Sequence, residues 1–569
     1  MNHSVVVATE TPIPTWRVAV ERMAIGWDQA ALAALVVLVA IVVATYGDYG
    51  ISNDEQVQQI YGEKLVALYL SGFTDRSAFN YENLYLYGGL FDMIVVGLQN
   101  LVPWADPYEV RHLLSGLIGV AGIAATWRLA RLFGGPRAGF LALAFIALTA
   151  PWYGAMFNHT KDIPFAVAMA WLLYFSCRFA IELPRPSRAA VAGVAIAGGA
   201  ALGLRVGAVL GFAYLAVAAG IWAIARGGVQ GLWNTTVDVW GIAWRLGLAA
   251  VVAYAIMAFF WPWAVLAPLN PLVALKAFSH FKYNIDTLFD GHVIKMYAVP
   301  PSYAPVYFIV RMPILALVGL GAGVAFKGVD VWRRHRMGNV HGHTLGHDMA
   351  RFLIVAATFF PLIYAVATRP YLYSGLRHFL FVVPPMMALA ALGFERLLVL
   401  AAARGRALII GLGAMLGIGG LSQAAEIVAL HPHQYVSYNV LVGGLPGAVG
   451  RWDTDYWSNI APEAVEGIVE LVAAEKPAAG QPERLYRLAL CGGRLIDESL
   501  PSGFVYTNRW DQADFFVTST HIGCQRAYPR APIVFTVERI GATLGVVRDL
   551  RVLRRNPVAP ATSAPPARP

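Results

Sequence analysis

The sequence predicts an α-helical polytopic membrane protein with a small α/β domain near its C-terminal end. Of its 569 residues, 58% are hydrophobic and only 14% are charged. A soluble globular domain carries about 25% charged residues, so the composition indicates a membrane protein. Apolar runs close to the roughly 20 residues that cross a bilayer recur along the chain. After the last run the composition becomes ordinary, which predicts about eleven spans followed by an external domain.

The apolar runs define the predicted spans. They lie at about 28–46, 111–131, 138–150, 163–181, 189–204, 206–225, 241–262, 305–326, 351–368, 376–396 and 407–425. The first run is long and lacks a small-residue cleavage site, so we expect it to be an anchor and not a cleavable signal.

The arginine distribution predicts the orientation of these spans. With a cytoplasmic N-terminus, the inside loops contain Arg128, Arg131, Arg137, Arg178, Arg185, Arg188, Arg226, Arg333, Arg334, Arg336, Arg396, Arg404 and Arg406. Cytoplasmic loops are rich in basic residues, so the count and the direction of the spans agree. The net charge of +9 is therefore a topology signal and does not indicate nucleic-acid binding. We expect a protein of the inner (plasma) membrane whose C-terminal portion is external, in the periplasm of a Gram-negative cell.

Four segments follow from this organisation. Residues 1–27 are predicted to be a cytoplasmic N-terminal segment, and residues 28–429 the transmembrane domain, which includes external loops 47–110 and 263–304. Residues 430–555 are predicted to be the external α/β domain, and the Pro/Ala-rich residues 556–569 a disordered tail.

Periodicity predicts the elements of the external domain. We expect an amphipathic helix at 461–475, strands at 485–491 and 514–519, and a hairpin over 532–553 that turns at Gly541. A disulfide between the two cysteines of this domain is chemically allowed outside the cytoplasm, but the sequence leaves their pairing open.

Acidic residues in the first external loop are the leading candidates for chemistry. Asp54 and Glu55 follow the first span closely, and Asp48 is a nearby rival. A carboxylate at the membrane surface can take a proton from an acceptor hydroxyl. The alternative is a helix cap, because Ser52 to Glu55 also resembles a capping sequence.

A second group lies between the third and fourth predicted spans, where His159, Lys161 and Asp162 stand at the external mouth of the bundle. Asp162 is a candidate to assist Asp54, by steering an acceptor or by binding a divalent cation with it. The alternative is that Asp162 caps the following helix, where its negative charge favours the helix dipole.

Arginines at the external ends of later spans are candidates for phosphate binding. Arg205 stands between two apolar runs, and ionisable groups at membrane depth are usually functional. Arg377 and His378 enter the tenth span from outside, and the guanidinium of Arg377 can hold a phosphate with two hydrogen bonds. Snorkelling of Arg205 and an interfacial anchor at Arg377 are the alternatives.

Several short motifs resemble the GT-C superfamily of membrane glycosyltransferases, in the branch of the protein O-mannosyltransferases and the lipid A aminoarabinose transferases. They are Asp54-Glu55, Lys161-Asp162-Ile163-Pro164-Phe165, Gly375-Leu376-Arg377-His378, and the stretch from His431-Pro432 through Asp455-Tyr456-Trp457. The resemblance implies that the first-loop carboxylate is essential and that the donor is a polyprenyl-phosphate sugar. Some members bind a divalent metal cation, but the sequence offers no clear ligand set for one.

The combined prediction is a hexosyl- or pentosyltransferase that inverts the anomeric carbon. It would move a sugar from a polyprenyl-phosphate donor to a glycan, lipid or protein acceptor on the external face, among membrane lipids and without nucleic acid. A flippase of lipid-linked saccharides is the main alternative, although no paired interrupted helices in two matching halves are visible. A non-catalytic scaffold is a third. The His341, His343 and His347 tract resembles a metal-binding segment, but it is interpreted as a solvated cytoplasmic loop.

Overall fold

The computed structural model describes residues 15–234, 236–279, 285–337, 345–475, 484–491 and 500–555. Within these residues, eight helices are long and apolar enough to cross a membrane, or nine if the bent pair Tyr303–Arg311 and Ile314–Phe326 counts as one span. A five-stranded sheet lies near the C-terminal end. The predicted fold class, a polytopic helical bundle followed by a small α/β domain, is confirmed.

Nineteen α-helices and seven strands make up the described chain. The helices before the first strand are α1 (Thr15–Thr45), α2 (Glu55–Leu70), α3 (Leu90–Leu101), α4 (Pro107–Ala147), α5 (Ala150–Asn158), α6 (Asp162–Ile181), α7 (Arg188–Leu202), α8 (Val209–Asn234), α9 (Thr236–Phe260), α10 (Pro262–Val265) and α11 (Asn270–Ser279). Strands β1 (Asp286–Phe289) and β2 (His292–Lys295) form an antiparallel hairpin. The remaining helices are α12 (Tyr303–Arg311), α13 (Ile314–Met337), α14 (Leu345–Thr368), α15 (Val383–Arg404), α16 (Arg406–Ala429), α17 (Gly444–Ala448), α18 (Ala461–Ala474) and α19 (Arg551–Arg555).

Each of the eleven predicted apolar runs falls on helical structure. The structure nevertheless has only eight candidate spans among its described residues, for three reasons. α4 contains two of the runs, and α7 is only 15 residues long. α12 and α13 meet at an angle of 118°. The number of helices that cross the bilayer therefore stays a prediction.

α4 reverses direction at Gly135. Gly135 has φ 79° and ψ −173°, outside the helical region, and Pro136 follows it. A Cβ added to Gly139 would lie 2.8 Å from Trp127 Cδ1 and 2.9 Å from Arg131 Cβ. Residues 12 positions apart in a straight helix are about 18 Å apart, so the two halves of α4 must fold back on one another. They correspond to the separate runs 111–131 and 138–150.

Small residues allow the central helices of the bundle to pack closely. α15 packs against both α4 and α13, and α4 also packs against α1 and α6. A Cβ on Gly393 of α15 would overlap the carbonyl of Gly319 in α13. Backbones approach this closely in membrane bundles only where a side chain is missing. This packing fixes the helix ends from which the candidate site is built.

The segment 430–460 contacts both the bundle and the sheet domain. Asn439 donates a backbone hydrogen bond to the Val310 carbonyl of α12, and the Thr454 hydroxyl lies 3.1 Å from that of Thr520. The limits of the four predicted segments stay predictions. Residues 1–14 and the predicted tail 556–569 lie outside the described residues.

The sheet domain has strand order β4-β3-β5-β7-β6, with β3 parallel to β4 and β5, and β7 antiparallel to β5 and β6. Its strands are β3 (Tyr486–Cys491), β4 (Phe504–Tyr506), β5 (Phe515–Ser519), β6 (Ile533–Arg539) and β7 (Ala542–Asp549). α18, both predicted strands and the hairpin at Gly541, whose φ is 71°, are confirmed. β4 was not predicted from the sequence.

A disulfide joins Cys491 to Cys524, with the two Cα atoms 6.1 Å apart. Cys491 ends β3, and Cys524 lies in a 3₁₀ helix, His521–Arg526, that follows β5. The bond therefore ties this short helix to the neighbouring strand. The third cysteine, Cys177, is a buried free thiol in α6, as expected of a packing residue.

Candidate active site

Five charged side chains from distant parts of the chain meet where α6 begins. Asp54 Oδ2 lies 2.9 Å from Lys161 Nζ and also accepts a hydrogen bond from Arg377 Nη2. Arg377 Nε donates a 3.0 Å bond to Asp162 Oδ2, and Arg205 Nη2 pairs with Asp162 Oδ1. Arg377 therefore bridges two carboxylates 108 residues apart in sequence.

The network has one positive charge in excess, because three cations surround two carboxylates. The side chains of Asp162 and Arg377 are only 2% and 7% exposed. Charges this deep are stable only when they are paired and hydrogen-bonded. The excess positive charge makes the cluster suited to receive an anion.

Local geometry separates Asp54 from its neighbour Glu55. Glu55 Oε2 accepts a 2.5 Å bond from the Ser52 backbone N–H, as in a capping box, and its Oε1 lies 3.0 Å from His112 Nε2. Asp54 makes no capping hydrogen bond at the start of α2. The capping interpretation is thus correct for Glu55 and wrong for Asp54. Glu55 is fully buried against α4, away from the cluster.

The cations around Asp54 keep its carboxylate ionised. Burial raises the pKa of Asp54, but Lys161 and Arg377 outweigh burial and hold that pKa well below its usual range. A carboxylate in this state is charged at neutral pH. It is a weak proton acceptor as long as both cations stay bound to it.

His159 lies beside the cluster and contacts two aromatic residues, Tyr456 and Trp457. Its Nε2 accepts a 2.7 Å bond from Trp457 Nε1 and lies 2.8 Å from the Tyr456 hydroxyl. Burial lowers the pKa of His159 to about 3, so the imidazole is neutral. His159 therefore fixes residues 456–457 against the start of α6.

Trp457 in turn covers Arg377. The centre of its ring lies 4.2 Å from the Arg377 guanidinium carbon, and the Tyr373 ring lies 5.6 Å from the same atom. Stacking on aromatic faces is a property of arginine that lysine shares poorly. The bound carboxylates and the stacked rings hold the guanidinium in one orientation.

A polar cavity of about 470 Å³ opens over this cluster. Asp54, Lys161 and Arg377 line it, together with Tyr87, Tyr373 and Trp457. His521 of the sheet domain lines it as well.

An apolar cavity of about 660 Å³ lies beside the polar one. Side chains such as Phe165, Leu210 and Phe381 line it, and Arg205 and His378 are among its polar residues. Tyr87 and Tyr373 line both cavities.

The Tyr87 ring contacts cations on both sides of this shared wall. Its centre lies 5.0 Å from Lys161 Nζ and 5.7 Å from the Arg205 guanidinium carbon. Burial raises the pKa of Tyr87 to about 12, so the phenol keeps its proton. A neutral hydroxyl at this boundary can donate a hydrogen bond to an anion.

The structure brings most of the predicted site residues together. Asp54, Lys161, Asp162, Arg205 and Arg377 form the network, with His378 beside it in the apolar cavity. Asp48 is not part of it, since its half-exposed carboxylate lies 2.9 Å from His431 Nε2.

Sequence reasoning did not assign roles to Tyr87, Trp457 or His521. Trp457 stands in a quoted motif, so that motif was the available signal. Nothing local marks His521, because its position depends on packing of the sheet domain against the bundle.

The described residues include no cluster of metal-ligating side chains. No group of three or more His, Cys, Asp or Glu side chains converges among them. Asp54 Oδ2 and both oxygens of Asp162 already bind arginine or lysine. His341 and His343 of the predicted cytoplasmic tract lie outside the described residues.

No family model matches the chain, and no curated protein sequence matches it. Among solved structures, the chain is similar to ArnT from Cupriavidus metallidurans bound to undecaprenyl phosphate, with 15% identity, a TM-score of 0.43, and coverage of 92% of this chain and 98% of that one. It is also similar to the oligosaccharyltransferase AglB from Archaeoglobus fulgidus in complex with an inhibitory peptide and a dolichol-phosphate, with 12% identity and a TM-score of 0.45. That match covers 81% of this chain and 62% of AglB.

Proposed function

We propose that this protein is a membrane glycosyltransferase that moves one sugar from a polyprenyl-phosphate donor to an acceptor on the external face of the membrane. The observation that carries the proposal is the junction of an apolar and a polar cavity with cations on both sides of it. A lipid-linked sugar has the same order of parts: an apolar chain, an anionic phosphate and a polar sugar.

The phosphate fits at the shared wall of the two cavities. Arg205 and His378 reach it from the apolar side, and Lys161 and Arg377 reach it from the polar side. The excess positive charge of the cluster complements a phosphodiester. Arginine suits this role because its charge persists at any pH and its planar fork matches two phosphate oxygens.

The transfer step uses Asp54 as proton acceptor. The acceptor hydroxyl attacks the anomeric carbon, the bond from that carbon to the phosphate oxygen breaks, and the hydroxyl proton passes to Asp54. The lipid phosphate departs with one more negative charge, which the cations stabilise. Attack opposite to the leaving group inverts the anomeric carbon.

Donor binding also raises the basicity of Asp54 in this scheme. Lys161 and Arg377 lower the pKa of its carboxyl in the free protein. A phosphate that draws either cation toward itself weakens that effect, so Asp54 becomes a stronger base when the donor is present. Asp162 keeps Arg205 and Arg377 in place from a buried position at the start of α6.

The external placement rests on the two ends of α6. The cluster lies at its first residue, and Arg178, one of the arginines predicted to be cytoplasmic, lies in its last turn. The 20 residues of α6 span about 30 Å, the thickness of the hydrocarbon core. The disulfide of the sheet domain supports the same side, because such bonds persist in oxidising compartments.

The test is a transfer assay with purified protein in proteoliposomes. The donors are radiolabelled hexoses and pentoses linked to polyprenyl phosphate, and the acceptors are inner-membrane vesicles from a strain that lacks this protein. We expect one donor to lose label to the vesicles, with an equal amount of polyprenyl phosphate released. Passage of intact donor across the bilayer without release would overturn the proposal in favour of a flippase.

A further inference from the structure

His521 brings the sheet domain into the polar cavity. It begins the 3₁₀ helix His521–Arg526 directly after β5. The preceding residue, Thr520, donates its backbone N–H to the Leu544 carbonyl over 2.8 Å. The hydroxyls of Thr520 and Thr454 lie 3.1 Å apart. These bonds fix the backbone that carries the imidazole.

A buried carboxylate lies beside the ring. His521 Nδ1 lies 3.1 Å from Asp453 Oδ1, and Asp453 is fully buried. The same carboxylate accepts a 2.8 Å bond from the Leu288 N–H and another from the Thr287 hydroxyl. A carboxylate beside one ring nitrogen favours the tautomer with the proton on that nitrogen, which leaves Nε2 as a hydrogen-bond acceptor.

Nε2 of His521 has no hydrogen-bond partner among the residues that the structure describes. The side chain is 11% exposed, and His521 lines the polar cavity that contains Asp54 and Arg377. Asp54, the other acceptor of the proposed reaction in this cavity, is bound to two cations. His521 therefore offers the cavity a ring nitrogen that no cation occupies.

We infer that His521 forms the acceptor subsite, where Nε2 accepts a hydrogen bond from a hydroxyl group of the molecule that receives the sugar. This inference rests on the proposed function and extends it, because it gives the sheet domain a role in acceptor binding. The acceptor class is a hydroxyl-bearing molecule that enters between the bundle and the sheet domain.

A purely structural role is the competing explanation. Asp453 also belongs to a chain of buried hydrogen bonds that reaches the site. The Thr287 hydroxyl lies 2.8 Å from the Tyr303 hydroxyl, which accepts a 3.0 Å bond from the Gly375 N–H. Gly375 stands two residues before Arg377. His521 would then matter only because its Nδ1 completes this chain.

Two substitutions separate these roles, because each places a polar atom at the position of only one of the two ring nitrogens of His521. His521→Asn retains an amide donor where Nδ1 faces Asp453 but removes the group at Nε2. His521→Gln places an amide oxygen near the Nε2 position but loses the nitrogen that faces Asp453.

The measurement uses the labelled donor and the vesicles described above, with the vesicle concentration varied to give an apparent KM for the acceptor. We expect His521→Asn to raise this KM roughly tenfold, the effect of one lost hydrogen bond, with unchanged donor affinity. His521→Gln should recover part of the loss.

The opposite order would overturn the inference: near-normal transfer by His521→Asn, with impaired transfer and a lower unfolding temperature for His521→Gln. A change in donor affinity for both variants would also overturn it. If the wild-type protein transfers label and His521→Asn matches it, the acceptor subsite alone is wrong. If the wild type transfers no label from any donor, the proposed function fails first, and the subsite fails with it.

Discussion

Arg377 Nε donates a 3.0 Å hydrogen bond to Asp162 Oδ2. The bond joins the residues just before α15 to the first turn of α6. The same guanidinium also binds Asp54, so one side chain fixes both candidate carboxylates.

Asp54→Asn should abolish most of the transfer and leave donor binding intact. The amide keeps the shape of the side chain and removes the proton acceptor, so transfer should fall roughly 10²–10⁴-fold. Sugar release from a polyprenyl-phosphate donor measures the rate, and equilibrium binding of the donor measures affinity. Asp48→Asn is the matched control, because that carboxylate is 52% exposed outside the cluster. Near-normal turnover in Asp54→Asn would show that another group takes the proton.

Glu55→Gln should act on stability and leave the chemistry largely unchanged. Its carboxylate is fully buried between the Ser52 N–H and His112. An amide retains the shape but weakens both contacts, so the unfolding temperature in detergent should fall. The kcat of the folded fraction should stay within a few-fold of wild type, and a loss as large as that of Asp54→Asn would contradict this role.

Arg377→Lys should lose much of the donor affinity although the charge is retained. A lysine cannot bridge Asp54 and Asp162 while it also faces a phosphate. The loss of a charge-assisted bond costs about 1.5–3 kcal/mol, or roughly 10- to 150-fold in affinity. Donor binding to the purified variant provides the measurement.

Arg205→Lys is the companion variant for donor binding. The sequence allowed that Arg205 only snorkels, in which case its replacement would be mild. Because Arg205 pairs with the buried Asp162, we now expect weaker donor binding in Arg205→Lys as well. Wild-type affinity in both lysine variants would remove these arginines from the phosphate site.

His159 should make stability depend on pH. Its pKa is lowered to about 3 in the folded protein, whereas an exposed histidine titrates near 6.5. Between these values the unfolded state binds the proton and the folded state does not, so stability falls as the pH falls from about 6.5 to about 3. The slope for one such group approaches 1.4 kcal/mol per pH unit. His159→Gln should reduce the difference between unfolding temperatures at pH 7 and pH 5, and an unchanged difference would contradict the prediction.

A bulky side chain in the apolar cavity should weaken donor binding by an amount that depends on the length of the donor's lipid. Leu210 lines this cavity, so Leu210→Trp should weaken binding of a long polyprenyl donor more than that of a short-chain analogue. Val217→Trp is the control, because Val217 is 50% exposed on the same helix and does not line the cavity. Competition with donors of two chain lengths tests this, and equal losses for both lengths would place the lipid elsewhere.

Reporter fusions test the orientation of the chain. A reporter after Pro557 should be active only outside, and one between Arg333 and His347 only inside, since cytoplasmic loops carry the arginines. A cytoplasmic C-terminus would place the cluster on the opposite face from the one proposed.

The helices were predictable because their signal is local. Apolar runs of the right length, broken by glycine, proline and arginine, marked the long apolar helices, including both halves of α4. Charges at the ends of those runs identified all five members of the cluster. The three-residue strand β4 carries too little pattern to be recognised.

The pairing within the site could not be read from the sequence. Asp54 and Glu55 are adjacent and chemically similar, yet one faces the cavity and the other packs against His112. That difference depends on how α2 docks against α4. Trp457 and His521 reach the site only after segments hundreds of residues from Asp54 pack together.

Because a disulfide joins Cys491 to Cys524, the geometry near His521 depends on whether the protein folds in an oxidising or a reducing environment. Cys524 lies three residues beyond His521 in the same short helix, so the bond restrains the turn that presents the imidazole. A chain kept in a reducing environment could assemble its helical bundle and bind a lipid donor while this turn stays loosely held. If His521 forms the acceptor subsite as inferred above, full competence toward an acceptor would then arise only after oxidation.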